Sequence, residues 1–81
     1  MKIIDFWAPW CVPCKAMEPT IERLEKEYAL EKVNVDEKPD VSQGHGVMSI
    51  PTLLIMDGDR EVKRFTGVQT YDTIKKAIAG L

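Results

Sequence analysis

Soft metal ligands are scarce in this chain: 81 residues hold two cysteines and one histidine. Three such ligands fall short of the four that a closed structural zinc site requires, so a monomeric zinc centre is not expected. The cysteines, Cys11 and Cys14, are three residues apart. A disulfide between them would close a very short loop and remove little entropy from the unfolded chain, so a structural staple is a weak explanation. A charge excess is also missing. Eleven basic residues stand against 13 acidic ones, net −2, which gives no electrostatic footprint for nucleic acid or an anionic membrane. No apolar run approaches the ~20 residues that span a bilayer. At the N-terminus, Asp5 and Pro9 interrupt the apolar stretch and no small-residue cleavage site follows, so a signal peptide is not expected. Repeats, low-complexity tracts and linkers are absent. The default expectation is a single domain over residues 1–81 in a reducing cytoplasm.

What is present is an ordinary balance for a folded chain, 44% hydrophobic and 30% charged, which argues against disorder. Residues 2–6 read as a short buried strand. From about 12 to 28 the pattern becomes helical, with Met17, Ile21, Leu24 and Tyr28 on one face and a charged run opposite, and Pro19 should kink it. Residues 31–35 alternate as a second strand. Pro39 to Gly44 is a candidate short helix. Thr52 to Met56 is a near-continuous apolar strand of the kind found at a sheet centre, and Asp57-Gly58-Asp59 signals a hairpin into a fourth strand at 61–66. Val62 and Phe65 are its main apolar residues. Thr70 is placed to cap a last helix with Ile74, Ala77, Ile78 and Leu81 in one stripe. The order β-α-β-α-β-β-α, with a right-handed first crossover, predicts an α/β layered domain. It contains a four-stranded mixed sheet with helices on its faces.

The segment Asp5-Phe6-Trp7-Ala8-Pro9-Trp10-Cys11-Val12-Pro13-Cys14-Lys15 resembles the active-site segment of the thioredoxin family. A bare C-x-x-C is a modest signal, but this extended run is specific. The resemblance continues through Lys32-Val33-Asn34-Val35-Asp36, Ser49-Ile50-Pro51-Thr52 and Gly67, and so covers nearly the whole chain. The first strand and helix of a full-length thioredoxin have no counterpart. The size therefore resembles glutaredoxins, and the motif residues resemble thioredoxins.

The resemblance implies a thioredoxin-like α/β fold, with strand order 2-1-3-4, helices on both faces and residues 31–35 at an edge, and thiol–disulfide exchange at Cys11 and Cys14. The chemistry of the residues agrees. The attacking species in such exchange is a thiolate, and a thiol at a helix N-terminus has its pKa lowered by the dipole and the unpaired N–H groups, an effect for which thioredoxin is itself a standard example. Cys11, where strand gives way to helix, is expected to be the exposed nucleophile. Cys14, one turn in, is expected to resolve the mixed disulfide. Asp5, a carboxylate in an apolar strand, should have a raised pKa; the family makes it the proton acceptor for Cys14. Lys32 matches the family's lysine near that aspartate, and as a plain alternative is a solvated edge-strand lysine. Ile50-Pro51 matches the family's cis-proline loop, which faces the cysteines and presents backbone to a substrate. Trp10, Val12, Pro13, Met48, Ser49, Ile50, Pro51 and Gly67 are the implied substrate-contacting residues. Trp7 is expected to pack, and His45 to be solvated in its glycine-flanked loop.

Two positions depart from the family pattern. Val12 replaces the usual glycine, which should stiffen the helix start and add apolar bulk beside the disulfide. Met48 stands where many thioredoxins place a basic residue, making the groove more apolar and adaptable. The leading expectation is a monomeric reductase of protein disulfides with no bound cofactor. Its reductant would be a thioredoxin-reductase-like flavoprotein or another dithiol donor. The alternatives are a glutathione-driven glutaredoxin-like reductase, a non-catalytic binding module of the same fold, and a dimer bridged by a metal cluster.

Overall fold

A computed structural model describes residues 1–81. Its scaffold grows from β1 (Lys2–Trp7), whose interior residues Ile3 to Phe6 are all buried. Burial on both faces requires packed layers above and below the sheet, and β1 also has a strand along each edge. It pairs in parallel with β2 (Ala29–Asn34) and antiparallel with β3 (Thr52–Asp57), and β3 pairs antiparallel with β4 (Arg60–Thr66). The sheet order is β2-β1-β3-β4, as the family resemblance implies, with β2 at an edge.

Strand alternation divides the core in two. On one face Ile3, Leu53, Ile55 and Phe65 pack against Met17, Ile21 and Leu24 and against Tyr71 and Ile74 of the last helix. On the other, Ile4, Phe6, Val33, Leu54 and Met56 pack with Val41, Val47 and Ile50. The helix expected over 12–28 is divided into α1 (Val12–Ala16) and α2 (Glu18–Glu25), with Met17 as the last cap of one and the first cap of the other. Pro19 is the cause. It has no N–H to give to Lys15, and its ring would meet that carbonyl, so the chain tightens at Met17, whose N–H reaches the Cys14 carbonyl at 3.1 Å. Tyr28 lies beyond α2 yet still packs on the first cluster.

The short helix α3 (Pro39–Gly44) forms as expected. So does α4 (Tyr71–Ala79), capped by the Thr70 side chain, which accepts the Thr73 N–H. Leu81 does not join the stripe. The helix stops at Ala79, leaving Leu81 exposed, and Tyr71 fills the inner end of the face instead. In β4 the pairing skips Val62: Ile55 faces Lys63 and Met56 faces Glu61. This bulge explains how Val62 and Phe65, three residues apart, both pack on the same cluster, which strict alternation forbids.

Candidate active site

The site sits where β1 delivers the chain into α1. Cys11 is the N-cap of α1, in extended backbone, and its Sγ accepts the Cys14 N–H at 3.1 Å. Cys11 and Cys14 are joined in a disulfide, with their Cα atoms 5.2 Å apart. The two cysteines pack with Ala8, and Trp7, Val35 and Ile50 pack against them. The expected contrast in exposure is therefore not found: Cys11 is 4% and Cys14 6% exposed. What separates the two sulfurs is the cap position. Cys11 Sγ is the acceptor of a helix-end N–H, and a thiolate there would be stabilised by it.

Asp5 is buried in β1, opposite Lys32 on β2 and Leu53 on β3. Burial pushes its carboxyl up to about 6, and the nearby Lys32 ammonium pulls it back part of the way. A cavity of about 30 Å³ lies between Asp5, Trp7, Cys14 and Lys32, with Lys15 and Glu18 at its rim. That volume accommodates a water molecule between the carboxyl and the resolving cysteine. Lys32 is both things the sequence allowed. It is exposed on the edge strand, and its ammonium also lies near the carboxylate and 5.3 Å from the Trp7 ring centre.

A second depression, about 480 Å³, opens beside the disulfide between Trp10 and the Val47–Ile50 segment. Val35, Ser42 and Gln43 complete it, and no charged residue lines it. Trp10 and Met48 are exposed, Met48 almost wholly so. The Ile50–Pro51 bond is cis. Thr52 Oγ1 donates to the Ser49 carbonyl at 2.7 Å, and the Gly67 N–H donates to the Pro51 carbonyl at 2.9 Å. Gly67 has φ of +90°, so the backbone itself, rather than lack of room, calls for glycine. Pro13 is exposed on α1. Val12 is exposed at 73% and does not pack on the disulfide, contrary to expectation, because the first residue of α1 points its side chain away from the sheet.

Two features escaped the sequence reading. The Trp10 indole N–H donates to the Asp36 carboxylate at 2.8 Å, a pairing across 26 residues that no local pattern encodes. His45 is not merely solvated: it is half-buried, with its ring edge-on to Phe6 at 5.9 Å.

A thioredoxin family model matches residues 1–80. The chain belongs to the thioredoxin family. It is 40% identical over 81 residues to the thioredoxin of Alicyclobacillus acidocaldarius, covering 95% of this chain and 77% of that protein. It is 40% identical over 80 residues to a thioredoxin of Chlorobaculum thiosulfatiphilum, covering 94% of this chain and 74% of that protein. Among solved structures, a mutant thioredoxin from Halobacterium salinarum superposes with a TM-score of 0.91 at 33% identity, over 98% of this chain and 72% of that one. A thioredoxin from Nicotiana alata gives 0.90 at 38% identity, over 98% and 70%. The thioredoxin-like fold and a thiol–disulfide oxidoreductase activity on proteins at Cys11 and Cys14 follow from this membership together with the paired cysteines.

Proposed function

We propose that this thioredoxin-family chain works as a reducing electron carrier for protein disulfides, with Cys11 as nucleophile, Cys14 as resolving thiol and Asp5 as proton acceptor. The observation that carries this reading is the joint position of the disulfide at the start of α1 and of the buried Asp5 carboxyl on one small cavity with Cys14. In the reduced protein the Cys11 thiolate attacks one sulfur of a target disulfide. That bond breaks, and the released target thiolate takes a proton from solvent. A mixed disulfide now joins Cys11 to the target. Cys14 gives its proton to Asp5, and its thiolate attacks Cys11 Sγ. The mixed disulfide breaks and the second target sulfur leaves and is protonated. The target gains two electrons and two protons, and the Cys11–Cys14 disulfide remains.

The groove lined by Trp10, Met48, Ser49 and Ile50 receives the target segment beside Cys11, and Lys32 offsets part of the burial effect on Asp5, favouring its charged form. Electrons reside in the cysteine pair itself, so no bound cofactor is needed. A thioredoxin-reductase-like flavoprotein or another dithiol donor restores the dithiol. Residues 1–81 act as one domain, a monomer of the cytoplasm with no role for nucleic acid. No helix is long and apolar enough to cross a membrane. The monomer reading is supported by the charges along β2. Pairing two such edges about a two-fold axis, in either register of fullest overlap, sets Glu31 against Glu31 or Lys32 against Lys32, and like charges opposed across a strand pair are destabilising.

The test is reduction of insulin disulfides by dithiothreitol with and without the protein, repeated with glutathione and glutathione reductase. Acceleration with dithiothreitol alone supports the reading. Acceleration only with glutathione favours the glutaredoxin-like alternative, and none with either favours a binding module.

A further inference from the structure

The wall of the substrate groove is formed by residues 47–50, a loop segment with little regular structure to hold it. It follows the end of α3, where the final carbonyls of a helix lack partners within the helix. Two of the carbonyls just past that end, those of His45 and Gly46, are taken by one side chain. Arg64 of β4 donates from Nη2 to His45 and from Nη1 to Gly46 at 3.2 Å. The same guanidinium is gripped by Glu61, Nε to Oε2 at 2.9 Å and Nη2 to Oε1 at 2.7 Å. A planar fork held at two edges is fixed in orientation as well as in place.

The bulge at Val62 makes this arrangement possible. Glu61 and Arg64 are three residues apart and would lie on opposite faces of a regular strand. With Val62 skipped, Glu61 pairs with Met56 and Arg64 with Leu54, both on the α3 face. The strand thus presents a carboxylate and a guanidinium together to the end of α3, while Val62 and Phe65 turn to the other core.

We infer that Arg64 is a positioning residue that clamps the carbonyls of His45 and Gly46 to the sheet, so that the Val47–Ile50 wall is preset for an extended disulfide-bearing segment. This rests on the groove being the target site, as proposed above. Arg64 lines neither the groove nor the cavity beside Cys14. It therefore acts on recognition of a protein target, by preorganisation, and leaves exchange with a small disulfide that needs no groove.

The test uses the reduced full chain in single-turnover oxidation. Insulin and a small aromatic disulfide serve as oxidants, for wild type, Arg64→Gln, Arg64→Lys and Glu61→Gln. For Arg64→Gln the half-saturating insulin concentration should rise about tenfold, equivalent to ~1.4 kcal/mol. The limiting rate, the rate with the small disulfide and the redox potential should each stay within about twofold or its equivalent, ~9 mV for a two-electron couple. Arg64→Lys keeps the charge but not the fork and should recover part of the loss. Glu61→Gln leaves the guanidinium without its anchor and should move insulin in the same direction by less, which keeps the test open if Arg64→Gln does not fold. Amide exchange at Val47, whose N–H donates to Ser42, should speed up in each variant. An unchanged half-saturation with unchanged exchange overturns the inference, as does an equal loss on both oxidants. If wild type does not reduce insulin at all, the target-groove reading fails, and accelerated exchange at Val47 would then support only the clamp.

Discussion

Replacing Asp5 by asparagine separates the carboxyl's cost from its use. The folded protein holds this carboxyl at about 6, against an ordinary value of 3.8, chiefly because burial disfavours its charged form. The folded state therefore binds the proton more tightly than the unfolded state. Stability is fully retained below the unfolded pKa and is lost as pH rises through the folded one. The interval from 3.8 to about 6, at ~1.36 kcal/mol for each step of one in pKa, amounts to ~3 kcal/mol by about pH 7 to 8. Asparagine has a similar shape and no charge to desolvate. Asp5→Asn should match wild type near about pH 4 and exceed it progressively to about 3 kcal/mol at about pH 8, or roughly 12–24 °C in Tm for a domain this small. Urea unfolding of the oxidised protein at several pH values measures this directly. The same variant should slow release of target from the mixed disulfide, because Cys14 has lost its proton acceptor. A stability difference that does not change across that pH range would refute the reasoning about burial. A more stable variant with undiminished turnover would remove Asp5 from the chemistry.

Cys11→Ser should abolish reduction, whereas Cys14→Ser should accumulate mixed disulfides with targets, visible on non-reducing gels; activity retained by Cys11→Ser would reverse the assignment. Lys32→Met removes the charge that holds the Asp5 carboxyl down, so its pKa should move above about 6 and carry the pH dependence of turnover upward, read by NMR titration of the side chain. Leu24→Ala, at a fully buried position between α2 and the sheet, should cost ~2–5 kcal/mol in denaturant unfolding without altering the redox potential. Val12→Gly acts through backbone freedom at the first residue of α1 rather than through contact with the disulfide; a potential unchanged within about 3 mV, or ~0.14 kcal/mol, would show the position to be neutral.

Residues close in sequence carried most of the fold and the reactive centre. Strand and helix periodicity, Pro19, Gly58 and Thr70 act on their immediate neighbours, so the element order was legible in the sequence, whereas the sheet order, which joins distant strands, was legible only through the resemblance of the motifs to a known family. The Asp5–Lys15 run likewise holds the cysteines, their helix start and the buried acid within eleven residues. The periodicity does not fix where α2 stops short of Tyr28 or α4 short of Leu81, because capping and fraying compete within a turn. Contacts between distant segments were another matter. The bond from Trp10 to Asp36, the His45 ring against Phe6 and the Arg64 grip on the end of α3 join residues 18 to 39 positions apart. The exposure of Val12 and the equal burial of the two sulfurs also depend on what packs above them. A sequence pattern reports which face a residue takes within its own element. Which partner meets that face, and whether a bulge turns it over, is decided only when the sheet and helices close on one another.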